Sequence, residues 1–232
     1  MKAIQLTHVW KGILAITLFS LISPKWTFPL AAWCAPFVLL SLVLDLRPAK
    51  GFLVCSAILF VSGLVANYRV MPFPGVIFLI ISLQSALLGT LPYLVVRFFS
   101  GRTPGWLITI TFPSVMVLYE YLTGLMGSGT WGSLAYTQVG NVALMQVASI
   151  TGLWGVSFLL YACNAVLLYA AQNNWTWRTI KSPMLSASGL VLAVLLFGYW
   201  RINPYFQHSV PQVRVAGITA LNLKSIGTMY RN

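Results

Sequence analysis

The sequence predicts an all-α integral membrane protein of about seven transmembrane helices, N-terminus in the cytoplasm and C-terminal tail outside. Three observations carry the expectation: a composition that water does not tolerate, a succession of apolar runs of bilayer length, and an uneven placement of lysine and arginine. Of 232 residues, 59% are hydrophobic and 7% are charged, against about 25% charged in an ordinary soluble domain. A soluble chain so poor in charge exposes apolar surface that it cannot keep in solution, so lipid is the solvent that fits.

The apolar runs fall at 10–23, 28–46, 51–70, 75–99, 104–124, 152–172 and 184–201. The first is short for a crossing of about 20 residues, and Pro24 closes it. The fourth is long enough to tilt, and Pro92 is placed to kink it near its end. The stretch 139–151 is apolar but too short to span alone; it either lies at the interface or lengthens the sixth helix. Seven crossings leave short loops, of which the uncharged 125–151 is the longest.

Orientation follows from the basic residues. With the N-terminus inside, Lys2, Lys11, Arg47, Lys50, Arg97, Arg102, Arg178 and Lys181 fall on the inner side, and only Lys25 and Arg69 fall on the short outer loops. That bias is the determinant of insertion. An odd helix count puts the tail, with Arg201, Arg214, Lys224 and Arg231, outside, where it can rest on anionic lipid. Trp10, Trp26, Trp106, Trp131, Trp175, Trp177 and Trp200 lie near the run ends, as an interfacial belt requires.

Several function classes are disfavoured. The formal charge of +12 arises from 14 basic residues against Asp45 and Glu120, but the basic residues are scattered singly between apolar runs, and nucleic-acid binding needs a clustered patch. Cys34, Cys55 and Cys163 form no C-x-x-C pair and have no histidine nearby, so they read as small hydrophobes, and no metal or organic cofactor is expected. The N-terminal run resembles a signal peptide, and 30–34 approximates a lipoprotein cleavage site. Trp33 stands where a small residue is needed, so the segment is expected to be retained.

Few residues are candidates for chemistry. Glu120 is the acid inside a span, where ionisation costs roughly 2.5–3.5 kcal/mol or more at mid-bilayer. It reads either as a structural hydrogen-bonding partner of a neighbouring helix or as a group on a polar cavity. Asp45, two residues before Arg47, reads as an interfacial ion pair or a solvated turn. With His8 and His208 outside the runs, a proton relay is hard to build. The stretch 127–164 offers Trp131, Tyr136, Gln138, Asn141 and Gln146 on the outer side, a surface that can hold a lipid headgroup by hydrogen bonds while aromatics meet acyl chains. Asn164, inside the sixth run, is expected to bond across helices.

"GTWGSLAYTQ" followed by "LMQVASITGLWGVSFLLYACNAVLL", with "PSVMVLYEYLTG" upstream, resembles the membrane domain of bacterial apolipoprotein N-acyltransferases over about 104–172. The resemblance implies a multi-pass protein of the bacterial cytoplasmic (inner) membrane. It also implies a phospholipid acyl donor and a lipoprotein acceptor, with Trp131, Tyr136, Gln138 and Glu120 lining the substrate or lipid cavity. In that family a nitrilase-like domain outside the membrane acts through a Glu-Lys-Cys triad. Here 1–208 reads as the membrane domain, and 209–232, "VPQVRVAGITALNLKSIGTMYRN" from Val210 onward, as an aborted first strand of such a domain. No cysteine follows the seventh run, so no catalytic residue carries over. The expectation is a truncated module inactive alone, or one completed by a separately encoded nitrilase-like chain. The alternatives are a non-catalytic lipid- or lipoprotein-binding scaffold and, less favoured, a small transporter.

Overall fold

A computed structural model describes residues 2–23, 25–26 and 28–203. The boundary expected at 208 and the strand expected within 209–232 lie outside the described residues. Among the described residues, eight α-helices follow one another: α1 (Lys2–Leu21), α2 (Ala35–Asp45), α3 (Pro48–Asn67), α4 (Gly75–Ser100), α5 (Ile108–Thr123), α6 (Val142–Met145), α7 (Ala148–Gln172) and α8 (Trp177–Ile202). Among the described residues there is no strand.

Five helical segments are long and apolar enough to cross a membrane: Pro48–Asn67, Gly75–Ser100, Gly105–Met126, Ala148–Gln172 and Trp177–Ile202. Two shorter apolar segments, Leu6–Leu21 and Pro29–Asp45, precede them. Together they match the seven apolar runs. A helix satisfies its own backbone, which is what a segment in hydrocarbon must do. The outward faces are apolar: Val76 is 72% exposed and Ile80 60% on α4, and Leu185 is 63% exposed and Leu196 61% on α8. The chain is an all-α membrane protein.

Its centre is α2, the shortest of the helices that pack through the core, with Val38, Leu39, Leu40, Leu42 and Val43 buried. Around it lie α1, α3 and α7; α4 packs on α3, and α5 lies between α4 and α7. One cluster joins them, including Cys55 and Ile58 of α3, Tyr93 and Val96 of α4, Phe112 and Met116 of α5, and Leu160 and Leu168 of α7. Tyr93, Phe112 and Tyr161 pack successively, the first pair tilted and the second edge to face, with centroid separations of 6.0 and 5.7 Å.

Lipid tails are as apolar as leucine, so helix association in a bilayer relies on close packing and on polar bonds between helices. Several are present. The hydroxyls of Ser56 and Thr90 meet at 3.0 Å between α3 and α4. Ser23 Oγ donates to the Ala66 carbonyl at 2.7 Å. Arg97 Nη1 donates to the carbonyls of Val43 and Leu44 at the end of α2, satisfying groups that the helix leaves unpaired.

Local breaks have local causes. The second apolar run is a 3-10 turn (Pro29–Trp33) followed by α2, because Pro36 lacks an N–H and disfavours helical geometry before it. Pro92 lies within a continuous α4. Within the 139–151 stretch, Val142–Met145 forms a short helix, and Ala148 begins α7, which the stretch therefore lengthens. Gly152 then breaks the regular path at φ 65°, ψ −170°, a conformation open to glycine and costly for other residues. Asp45 pairs with Lys11 at 2.7 Å, and His8 lies at 4.0 Å. Arg47, the partner suggested by spacing, instead begins the α3 turn, so the neighbouring helix supplies the cation.

Candidate functional site

Glu120 lies one turn from the C-terminal end of α5 and is 6% exposed. After the π turn Gly124–Ser128, the chain returns over the end of the bundle and forms the 3-10 turn Leu134–Gln138. That turn closes on Glu120. Oε2 accepts from Ser133 Oγ at 2.9 Å and Ser157 Oγ at 2.7 Å; Oε1 accepts from the Leu134 N–H at 3.0 Å and Tyr161 Oη at 2.9 Å. Four donors meet a group with about four acceptor positions, so the carboxyl is fully used. The Ala135 N–H donates to Ser157 Oγ at 3.2 Å, tying the same turn to α7.

Ser157 and Tyr161 are four residues apart and therefore stack on one face of α7. Asn164 extends that stripe by three residues. Its Oδ1 accepts from the Phe37 N–H at 2.8 Å, and its Nδ2 donates to the carbonyls of Ala32 at 3.0 Å and Leu160 at 2.8 Å. No local side chain caps α2, so Asn164 does it from another helix. The cross-helix bond expected of Asn164 is therefore present, and it joins α7 to both halves of the second apolar run.

Gln138 ties the turn from the other side. Its Nε2 donates to the Pro29 carbonyl at 3.0 Å and to Thr137 Oγ1 at 2.8 Å, and its Oε1 accepts from Trp33 Nε1 at 3.3 Å. At 1% exposure it is part of the interior. Trp131 and Tyr136 differ: they are 59% and 42% exposed. Tyr136 Oη meets Thr130 Oγ1 at 2.6 Å, which holds the start of the loop against the turn.

The four residues singled out from sequence thus form two levels. Glu120 and Gln138 anchor the turn from beneath, while Trp131 and Tyr136 stand on its outer surface. Ser133, Ser157 and Tyr161 went unnoticed in the sequence. The detectable signal is the spacing of Ser157, Tyr161 and Asn164 in an otherwise apolar run, a polar stripe at helical period. Chemically the cage holds rather than reacts: its serine hydroxyls are directed at Glu120 and are at most 7% exposed. Among the described residues, no three His, Cys, Asp or Glu side chains gather as a metal site.

The family model of the apolipoprotein N-acyltransferase N-terminal domain matches residues 15–166, well over half of the chain, and spans the cage, the turn and the α2 cap. The chain belongs to this family. Among similar proteins, the apolipoprotein N-acyltransferase of Geobacter metallireducens is 33% identical over 135 residues, 56% of this chain and 25% of that one. Apolipoprotein N-acyltransferase 2 of Leptospira interrogans is 27% identical over 200 residues, 75% of this chain and 30% of the relative. Apolipoprotein N-acyltransferase 1 of Treponema denticola is 36% identical over 90 residues, 35% of this chain and 16% of the relative. The chain spans less than a third of the length of these relatives.

Proposed function

We propose that this chain is the lipid-facing membrane domain of an apolipoprotein N-acyltransferase of the bacterial cytoplasmic (inner) membrane. Seven apolar segments cross the bilayer with the N-terminus inside, and residues 124–147 lie on the outer side. There the turn brings phospholipid, the acyl donor, and lipoprotein, the acceptor, to a catalytic domain above the membrane. The observation that carries this reading is the two-level turn, which displays Trp131 and Tyr136 on a base fastened to three helical regions. An aromatic pair at an interface suits the boundary between acyl chain and headgroup.

The cysteine that such acyl transfer requires is none of Cys34, Cys55 and Cys163, which lie within the helical bundle. Acyl-transfer chemistry is therefore assigned to protein outside this sequence, in the same polypeptide or in a separately encoded nitrilase-like chain. The sealed cage also favours a second reading, a scaffold that binds lipid or lipoprotein without chemistry.

The test uses the purified chain in nanodiscs and a fluorescent diacylglyceryl lipopeptide. Binding should be saturable and should fall about tenfold on W131A/Y136A, with unchanged helicity. Absence of binding, or binding indifferent to both changes, overturns the role of the turn. Adding a catalytic domain of the family to the nanodiscs separates the readings: acyl transfer accelerated by this chain supports the enzyme module, and binding without acceleration supports the scaffold.

A further inference from the structure

The end of the bundle opposite the outer turn carries a cavity of 360 Å³, whose walls include Arg97, Ser100, Thr103, Gly105, Ile108 and Gln172. Ile108 and Glu120 are twelve residues apart on α5, about 18 Å along a helix. Ser157 and Gln172 are fifteen apart on α7, about 22 Å. The cavity is therefore separate from the Glu120 cage and from the aromatic turn. In the proposed orientation it lies on the cytoplasmic side.

Arg97 has no counter-ion among the described residues. The sequence holds two acids, Asp45 and Glu120. Asp45 bonds Lys11 at 2.7 Å, with His8 at 4.0 Å, and Glu120 is enclosed by its own four donors. Arg97 Nη1 donates to the carbonyls of Val43 and Leu44. Of the five N–H donors of a guanidinium, those on Nε and Nη2 are left without a partner among the described residues.

We propose that this cavity binds a phosphate ester, its anionic oxygens on the Arg97 guanidinium and its alcohol portion against Ser100, Thr103 and Gln172. A charge drawn partly out of water calls for a partner, and the planar guanidinium fork matches two phosphate oxygens at once. Further donors are at hand: the Gly105 N–H, at the start of the Gly105–Met126 helical segment, and the Gln172 amide have no acceptor among the described residues. Ser100 Oγ and Thr103 Oγ1 donate to the carbonyls of Arg97 and Phe99, which leaves their oxygens as acceptors for an alcohol O–H. The carbonyl ends of α4 and α7 oppose an anion little, because the turns that follow close on them. The Arg102 and Thr103 N–H groups bond the Phe99 carbonyl, and those of Asn173 and Trp175 bond the Ala170 carbonyl.

Two sources present this chemistry. One is the headgroup of an anionic lipid such as phosphatidylglycerol in the nearer leaflet, since basic pockets between helices on the cytoplasmic side hold such headgroups. The other is a soluble ester such as glycerol phosphate. Either would act on the face of the membrane away from the outer turn, so the inference stands whether or not the acyl-transfer reading does.

The test uses native mass spectrometry of the purified chain in a neutral detergent. Phosphatidylglycerol, phosphatidylcholine and glycerol 3-phosphate are titrated in separately. One phosphatidylglycerol or one glycerol 3-phosphate per chain should be retained several-fold more strongly than phosphatidylcholine, and the one retained identifies the source. Gln172→Glu puts a carboxylate on the same cavity at an exposed position, and should lower that retention several-fold. Ser149→Glu makes the same change of charge at the far end of α7 and should leave retention as it was. Equal retention of all three compounds overturns the proposal. So does equal retention by Gln172→Glu and Ser149→Glu, which general attraction to scattered surface cations would give. Arg97→Gln should also abolish retention; should it not fold for want of its bonds to α2, Gln172→Glu decides.

Discussion

At the scale of single residues, the polar groups of this chain matter because the membrane gives them no alternative partners. Interhelical hydrogen bonds in lipid average about 0.6 kcal/mol where measured, with the largest near 1.7. Tyr161→Phe removes one of the four donors to Glu120. It should lower stability by about that average, read as a small decrease in Tm in detergent. Glu120→Gln turns an amide NH2 toward groups that donate, leaving buried donors unmatched at about 1–3 kcal/mol. It should therefore lower Tm clearly more than Tyr161→Phe; the reverse order would show that the cage does not hold the turn. Lys11→Ala should change stability by less than about 1 kcal/mol, because its pair with Asp45 is 31% and 44% exposed on the two sides. Glu120 was visible as the acid in a span, and the structural role entertained for it matches its four contacts. Its partners were hidden, since serines and tyrosines in an apolar run have many uses and only the fold brings them to one carboxyl.

Among the elements, α2 and α8 are held by opposite means. The first is short, buried and capped from another helix by Asn164. Asn164→Ala should cost about 1–3 kcal/mol, since the Phe37 N–H loses its acceptor in the interior; thermal unfolding in detergent measures it. Helix α8 comes backbone to backbone with Ala143 at Gly198. Gly198→Leu should separate it from Ala143 and speed the reaction of Cys163 with a membrane-permeant maleimide several-fold. Gly189→Leu, where a Cβ would meet nothing within 4 Å, adds the same helix propensity without the collision and should leave that rate unchanged. Equal rates in the two variants would show that α8 does not seat on this contact. The apolar runs located these helices, but neither the break at Cys34 nor the turn at Gly152 could be placed by hydropathy, which averages over such single-residue geometry.

For the whole molecule, the proposed orientation places the loops around 47, 101–104 and 173–176 inside and residues 124–147 outside. Alkaline phosphatase fusions should be active at 132 and inactive at 102 and 175. The opposite pattern would invert the reading of the outer turn. The structure is consistent within itself: Lys11, Asp45 and Arg97 meet near one end of the bundle through the end of α2. The Ser23–Ala66 bond joins the segment after α1 to the end of α3, and the Gln138–Pro29 bond joins the Leu134–Gln138 turn to the start of the second apolar run.

The sequence alone determined the solvent, the helical class and the approximate extent of each apolar helical segment, because hydrocarbon imposes apolarity and internal hydrogen bonding on every segment that enters it. It also pointed to the stretch around Trp131–Gln138 as the distinctive one. Only the tertiary structure decided which of those residues face outward and which lock the turn. That division depends on α7 bringing Ser157 and Tyr161 beneath residue 120 and on Pro29 and Trp33 meeting Gln138. These pairs are up to 109 residues apart, and nothing in local composition specifies a meeting between side chains so distant in the chain.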